Sequence, residues 1–261
     1  MLNFNRESIL KYLSPDLKLN INFLKTVDST NSYLKQSAKM GAKEGEVLIA
    51  DSQTGGRGRY DRKFYSPKGT GIYMSLVLKP DLKAEESVLI TAAAAVAVRE
   101  AVLAVCDKDL QIKWVNDLIL DGKKVCGILT EGALNAENGG FNWAVLGIGL
   151  NVYEPQNEFP QEIKYIAGAL ERERKSDLRS RLCAEILNRF FLYYKQLSKR
   201  TFIDIYREKS AVINKKVNVI KGYCILPATA LYIDNDCKLL VEYENGDREY
   251  LSSGEISIKM N

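Results

Sequence analysis

The segment 85–105, EESVLITAAAAVAVREAVLAV, constrains this fold more than any other stretch. It is too long for a strand and rich in alanine, the residue with least to lose in a helix, so it reads as a buried helix. Such a helix must be covered, and the chain has the means. Of its 261 residues 46% are hydrophobic and 27% charged, the mixture of a globular protein with a sizeable core. At roughly 150 residues per domain, that length suggests one large domain or a large and a small one. The apolar stretch 88–98 is interrupted by Thr91 and ends at Arg99, too short for the roughly 20 residues a bilayer requires. The N-terminal MLNFNRESILKYL lacks the apolar core of a signal peptide. The expectation is a soluble, cytoplasmic protein without a membrane partner.

Around this helix the pattern is one of short strands. Residues 21–27 and 46–52 read as strands, and Asp28-Ser29-Thr30-Asn31 between them supplies the cap of a helix running to Gly41. Residues 72–78 form a strand that ends before Pro80. Residues 111–115 are followed by LIL-Asp121-Gly122-KKVCGIL, where Asp-Gly signals a tight hairpin. Asn138-Gly139-Gly140 turns into the apolar strand FNWAVLGIGLNV. Ser176 is placed to cap a long amphipathic helix in which Leu178, Leu182, Ile186, Phe190 and Tyr194 recur every fourth residue. A further helix is expected over 202–212. From Lys216 onward short strands alternate with turn signals at Gly222 and Asn245-Gly246, the pattern of a small β-barrel-like module. The fold class expected is α+β with a mixed or antiparallel sheet, divided into residues 1–213 and a small β domain at 214–261.

Several chemistries are excluded at once. The chain has His 0, which removes every imidazole base and every zinc site that needs a histidine ligand. Five cysteines without a C-x-x-C pair argue against metal clusters and a disulfide framework and fit a reducing compartment. A formal charge of +4 is too weak to argue for nucleic acid by itself.

Four short stretches carry polar chemistry. In Gly55-Gly56-Arg57-Gly58-Arg59, with Arg62 and Lys63 behind, glycines let backbone N–H groups converge on an anion and arginines add planar donors. Neither a Walker loop nor a dinucleotide fingerprint is present. Phosphate binding, an exposed basic loop and nucleic-acid contact all remain open from these residues. Lys113-Trp114-Val115-Asn116-Asp117 offers two oxygen ligands suited to Mg²⁺, and Lys124 returns beside them after the hairpin turn. Asn-Asp is equally a common turn pair. Gly147-Ile148-Gly149-Leu150-Asn151 marks either close approach of a ligand or a bulge. Asp28-Ser29-Thr30-Asn31 is explained by helix capping, although a helix N-terminus also presents free N–H groups.

Taken in order, D-S-T-N, Q-T-G-G-R-G-R…S-P, K-W-V-N-D-L, K-K-V-C-G-I-L and G-I-G-L-N resemble the biotin protein ligases, strongly over 21–152 and in general plan beyond. The resemblance implies a class II synthetase-like biotin/lipoate ligase catalytic domain followed by a small SH3-like C-terminal β-barrel. It implies biotin–[biotin carboxyl-carrier protein] ligase activity: biotin and ATP as substrates, Mg²⁺, a biotinyl-5′-adenylate intermediate, and transfer to a lysine of the carrier domain of a carboxylase such as acetyl-CoA carboxylase. It assigns Ser29, Thr30, Asn31, Gln53, Arg57, Gly58, Arg59, Lys124, Gly127 and Gly147 to biotin. Arg57, Arg59, Arg62, Lys113, Asn116, Asp117, Gly149, Leu150 and Asn151 fall on the ATP and adenylate side. Asn116 and Asp117 are its Mg²⁺ ligands, and Lys124, Arg59 and Asp117 its catalytic groups.

Tyr60 and Asp61 depart from the family pattern, as do Phe64, where tryptophan is frequent, and Val115, where proline is frequent. Residues 1–20 leave room for one short helix, so the resemblance is to the class without an N-terminal winged-helix domain and without a repressor role. A monomer or weak homodimer is expected, with no nucleic-acid partner. The competing readings are a lipoate–protein ligase and a nucleic-acid module using the arginine loop. Against the latter stands the lack of interleaved aromatic platforms.

Overall fold

The structure, a computed structural model, describes residues 4–137, 139–252 and 255–258. Its elements in chain order are α1 (Arg6–Leu10), β1 (Asn20–Leu24), α2 (Thr30–Lys39), β2 (Glu46–Ala50), β3 (Gly71–Leu78) and α3 (Val88–Cys106). There follow β4 (Gln111–Lys113), β5 (Asp117–Leu120), β6 (Lys123–Leu134), β7 (Phe141–Asn151), α4 (Leu178–Tyr194) and α5 (Ile203–Glu208). Last come β8 (Lys216–Lys221), β9 (Cys224–Ile233), β10 (Leu239–Tyr243), β11 (Arg248–Leu251) and β12 (Glu255–Ile258).

Seven strands form one sheet in the order β1-β2-β3-β7-β6-β5-β4, and five form a second in the order β11-β10-β9-β8-β12. The first is mixed, since β1 and β2 run parallel and every other neighbouring pair runs antiparallel. The α+β class with a mixed sheet and a small all-β C-terminal part is therefore what the chain adopts.

The two faces of the large sheet do different work because side chains alternate with a period of two. Met74, Leu76, Leu146, Ile148, Leu150 and Ile128 point into the main core with α3 and α4. The opposite face carries a smaller cluster, Leu34, Ala38, Leu48, Val77 and Val145, under α2. Beyond the end of α2 that second face is free for chemistry. Helix α3 is buried as its alanines require, for small side chains let it pack closely against sheet and α4.

Some boundaries differ from expectation. The helix at Ala84–Cys106 is long and apolar enough to cross a membrane by length and composition, more than the stretch 88–98 suggests, yet 72% of its most apolar window is buried in the protein. Asp177, not Ser176, precedes α4, with φ 55° and no side-chain cap bond. Strand β4 stops at Lys113, short of the expected Val115, because residues 114–116 form the turn into β5; the Trp114–Val115 peptide in that turn is cis. The helix expected over 202–212 is shorter, Ile203–Glu208. Of the turn at Asn138-Gly139-Gly140, Asn138 lies outside the described residues.

The two sheets are joined through polar contacts as well as packing. The Trp114 indole N–H donates to Cys237 O at 2.8 Å, and the Arg207 guanidinium donates to Ile233 O at 2.6 Å. The Tyr206 hydroxyl, wholly buried, donates to Val115 O at 2.9 Å. Both residues of the cis peptide are thus held from the C-terminal side of the chain.

Candidate active site

Strand register aligns one row of residues across five strands: Tyr73, Gly149, Gly127, Asp117 and Lys113 are successive partners on β3, β7, β6, β5 and β4. A second row, Ser75, Gly147 and Leu129, runs beside it. Partners in register point to the same face, so the three glycines clear a trough in the middle of the sheet. The trough lies against the N-terminus of α2 and beneath the arginine loop.

Other groups already use the space the glycines leave. A Cβ on Gly147 would collide with Asn31 Oδ1, and one on Gly149 would come within 2.6 Å of the Phe64 ring. A Cβ on Gly127 would lie 3.1 Å from Lys124 Cε and 3.4 Å from Phe64. Phe64 is therefore the apolar cover of the trough, braced edge-on by Tyr73 with ring centroids 6.4 Å apart.

One end of the trough is a buried polar cluster. Ser29 caps α2, its side chain accepting from Ser32 N. Thr30 and Asn31 are each 4% exposed. Thr30 N donates to Gln53 Oε1 at 2.9 Å, and the Gln53 amide donates to Ser66 Oγ at 2.9 Å, tying α2 to the loop. Ser75 Oγ lies 2.8 Å from Thr30 Oγ1 and 2.7 Å from Asn31 Oδ1. Asn31 Nδ2 donates to Glu131 Oε2 at 3.0 Å. Glu131 also takes Lys35 Nζ at 2.6 Å and Arg57 Nη2 at 3.3 Å. Burial pushes the Glu131 carboxyl up, but hydrogen bonds from Lys35 and Asn31, with the charges of Lys35 and Arg57, outweigh it and hold the group below its ordinary range.

The other end gathers charge. Lys124 Nζ lies 2.7 Å from Asp117 Oδ1. The type I′ turn at Asp121 (φ 50°) and Gly122 (φ 76°) starts β6 in register. The backbone of Lys124 is held again by segment 166–168, through Lys124 N to Ile166 O at 2.7 Å and Gly168 N to Lys124 O at 2.9 Å. Asn151 Nδ2 donates to Gly168 O at 2.9 Å and so supports that segment. Asn116 Nδ2 donates to Ile128 O at 2.9 Å, which leaves Oδ1 to accept from Arg59 Nη1 at 3.2 Å.

Residues 57–63 form a small hairpin. Arg57 pairs with Lys63 in a β-bridge, and Gly58 N donates to Arg62 O at 2.7 Å. Tyr60 (φ 53°) and Asp61 (φ 56°), the two departures from the family pattern, make its left-handed tip. Arg62 is exposed on the outer arm, while Arg57 and Arg59 reach back to Glu131 and Asn116.

Thus Thr30, Asn31, Gln53, Arg57, Arg59, Asn116, Asp117, Lys124, Gly127, Gly147 and Gly149 meet along one trough, and Lys113 continues its row. Leu150 does not, being wholly buried in the main core with its side chain on the opposite face. Sequence reasoning missed Ser75, Glu131 and Lys35. Ser75 was visible as the one small polar residue in the apolar run IYMSLVL. Glu131 is an acid in phase with Gly127 and Leu129 on β6.

A Mg²⁺ ion would find one amide and one carboxylate oxygen here, at Asn116 and Asp117, and among the described residues no group of three or more acidic, histidine or cysteine side chains forms a metal cage. That donor set suits an ion carried in on a polyphosphate, which keeps water and phosphate oxygens as most of its ligands.

Comparison with known proteins gives the same direction. Residues 23–151 match the Biotin/lipoate A/B protein ligase family, and residues 212–259 match the Biotin protein ligase C terminal domain. The chain is 34% identical over 233 residues to the bifunctional ligase/repressor BirA of Bacillus spizizenii, covering 87% of this chain and 70% of that protein. It is 29% identical to the biotin–[acetyl-CoA-carboxylase] ligase of Mycobacterium tuberculosis, covering 87% and 85%. Among solved structures it is similar to the biotin protein ligase from Aquifex aeolicus in complex with biotin and ATP, with a TM-score of 0.74, 27% identity, and 93% and 99% of the two chains covered.

Proposed function

The chain belongs to the biotin/lipoate A/B protein ligase family, and from that membership we infer that it activates biotin with ATP to biotinyl-5′-adenylate and transfers biotin to a lysine of a carboxylase. The observation that carries the residue roles is the glycine-cleared trough, polar at the α2 end and cationic at the Lys124 end. A biotin head with its ureido group at Thr30, Asn31 and Gln53 directs the carboxylate tail along Gly147, Gly149 and Gly127 toward Lys124. The acceptor is the biotin carboxyl carrier domain, and residues 1–213 carry the catalytic part while 214–261 form the small β domain.

In the first step a carboxylate oxygen attacks the α-phosphorus of ATP and pyrophosphate leaves. Two anions must approach, so Lys124, Arg57 and Arg59 act by offsetting their repulsion and stabilising charge on the phosphoryl oxygens. Mg²⁺ held at Asn116 and Asp117 would supply further neutralisation of the phosphates. No proton need move, so a site without histidine suffices. In the second step the neutral amine of the acceptor lysine attacks the adenylate carbonyl, the new C–N bond replacing the C–O bond to AMP, which leaves; with a pKa of about 10.4 only about one lysine in a thousand is neutral near neutral pH. Asp117 accepts its proton, and positioning of the amine supplies much of the remaining rate.

Biotin-dependent exchange of labelled pyrophosphate into ATP tests this reading. Exchange should require biotin and should not be supported by lipoate. Lipoate-driven exchange at the biotin rate would replace the assignment with lipoate ligation.

The arginine loop gives a further check. Its outer arm is exposed, with little apolar anchorage beyond Phe64. Trypsin should cut within 57–63, and biotin plus ATP should protect because the phosphates recruit Arg57 and Arg59. Equal cleavage with and without substrates would rule out ordering by ligand.

A further inference from the structure

We propose that Glu131 is a positioning residue of the biotin site, orienting the Asn31 amide from the same face of the sheet while holding Arg57 of the arginine loop at the rim of the trough. The proposal rests on the ligase reading for its substrate, while its geometry stands alone.

An asparagine amide presents an oxygen on one side and a nitrogen on the other, and its neighbours decide which way it faces. An ionised carboxylate only accepts hydrogen bonds, so the side of Asn31 that meets Glu131 Oε2 at 3.0 Å must be the NH₂. Asn31 Oδ1 is then turned toward β3 and Gly147, where Ser75 Oγ lies at 2.7 Å and donates to it. The Thr30 hydroxyl donates to Gln53 Oε1, at 3.1 Å. The outcome is that Asn31 presents an oxygen acceptor, already holding one bond from Ser75, at the α2 end of the trough. Such an acceptor complements an N–H donor of a cyclic urea. With the amide turned over, Asn31 would place its oxygen against a carboxylate and its nitrogen against the trough, the wrong polarity on both sides.

The same carboxylate reaches the loop. Oε1 is shared by Lys35 on α2, 2.6 Å away, and by Arg57, 3.3 Å away. Lys35 pairs with Glu131 from α2 itself, four residues from Asn31 on the same helix face. Arg57, more exposed and farther off, is the partner that an incoming phosphate can draw away. One side chain thus links biotin recognition to the resting place of the loop.

The test compares Glu131→Ala with Glu131→Gln in two assays. Glutamine keeps an oxygen acceptor for Asn31 but lacks the charge that holds Arg57. In biotin-dependent pyrophosphate exchange, Glu131→Ala should raise the KM for biotin about tenfold or more, the scale of one charge-assisted hydrogen bond, with a smaller change in kcat. Glu131→Gln should recover most of that loss. In trypsin digestion without substrates, both variants should be cut faster than wild type within 57–63. An equal rise in KM for Gln and Ala, or no rise for Ala, overturns the orienting role. Unchanged cleavage in both variants overturns the hold on Arg57. If wild type itself shows no biotin-dependent exchange, the ligase reading fails, while digestion still reads the Glu131–Arg57 contact independently.

Discussion

Lys124→Ala is expected to slow adenylate formation by about 10²–10³, the usual loss when a preorganised donor at developing charge is removed. The tight turn at Asp121-Gly122 and the pairing with segment 166–168 fix its backbone from both sides, so the ammonium is aimed by strands and not by a mobile loop. The fold should survive, since the side chain is 39% exposed and contributes little core. Transfer from externally supplied biotinyl-adenylate should be slowed far less, because the carboxylate charge is consumed once the adenylate exists. Single-turnover measurement of each half-reaction checks this. Equal loss in both would show that Lys124 serves the site generally and not the charge of the first step.

Gly147→Ala should weaken biotin binding about 10- to 100-fold, although it adds a single methyl group. That methyl meets Asn31 Oδ1, and Asn31 cannot simply swing aside. It sits in the first turn of α2 with its amide bound on both flanks, by Ser75 and by Glu131. Displacing it strands buried polar partners, at about 1–3 kcal/mol each. The same cost should lower the unfolding midpoint by a few degrees, since about 1 kcal/mol is worth about 2–4 °C in a chain of this size. Calorimetric titration with biotin reads the first effect and a thermal scan the second. Wild-type affinity in this variant would mean that Asn31 is free to move and takes no part in recognition.

The difference between what the sequence reveals and what it hides follows the range of the interactions. The Ser29 cap, the Asp121-Gly122 hairpin and the alanine-rich α3 are specified within a few residues of themselves, and each forms as its local chemistry requires. The row from Tyr73 to Lys113 depends on the joint register of five strands, with β3 separated from the others by α3, so no single local pattern places Gly127 opposite Gly149 and both beside Tyr73. Leu150 shows the same limit from the other direction. Standing between Gly149 and Asn151 it shares their motif, but the period of the strand turns it into the core. Glu131 was missed because nothing near it in sequence says that an acid on β6 meets a helix begun one hundred residues earlier. The hairpin at 57–63 is hidden from sequence for a different reason. Tyr60 and Asp61 are unusual in left-handed backbone, so the turn they make carries no glycine signal.

The base of that loop is fastened at both ends. Gly69 N donates to Asp51 O at 3.3 Å, Arg174 Nη1 donates to Gly69 O at 2.9 Å, and buried Arg179 bridges Gly71 O and the Asp51 carboxylate, each at 2.8 Å. Its two ends are therefore brought together before any ligand arrives, and the entropy of closing the loop is lost during folding instead of at binding. The hairpin tip, 57–63, is the part proposed to order over the adenylate. A lid of that kind would swing about a fixed base and would not have to condense from a coil. Less of the ligand's interaction energy then goes into ordering the chain, and more remains as affinity for the intermediate that must not escape.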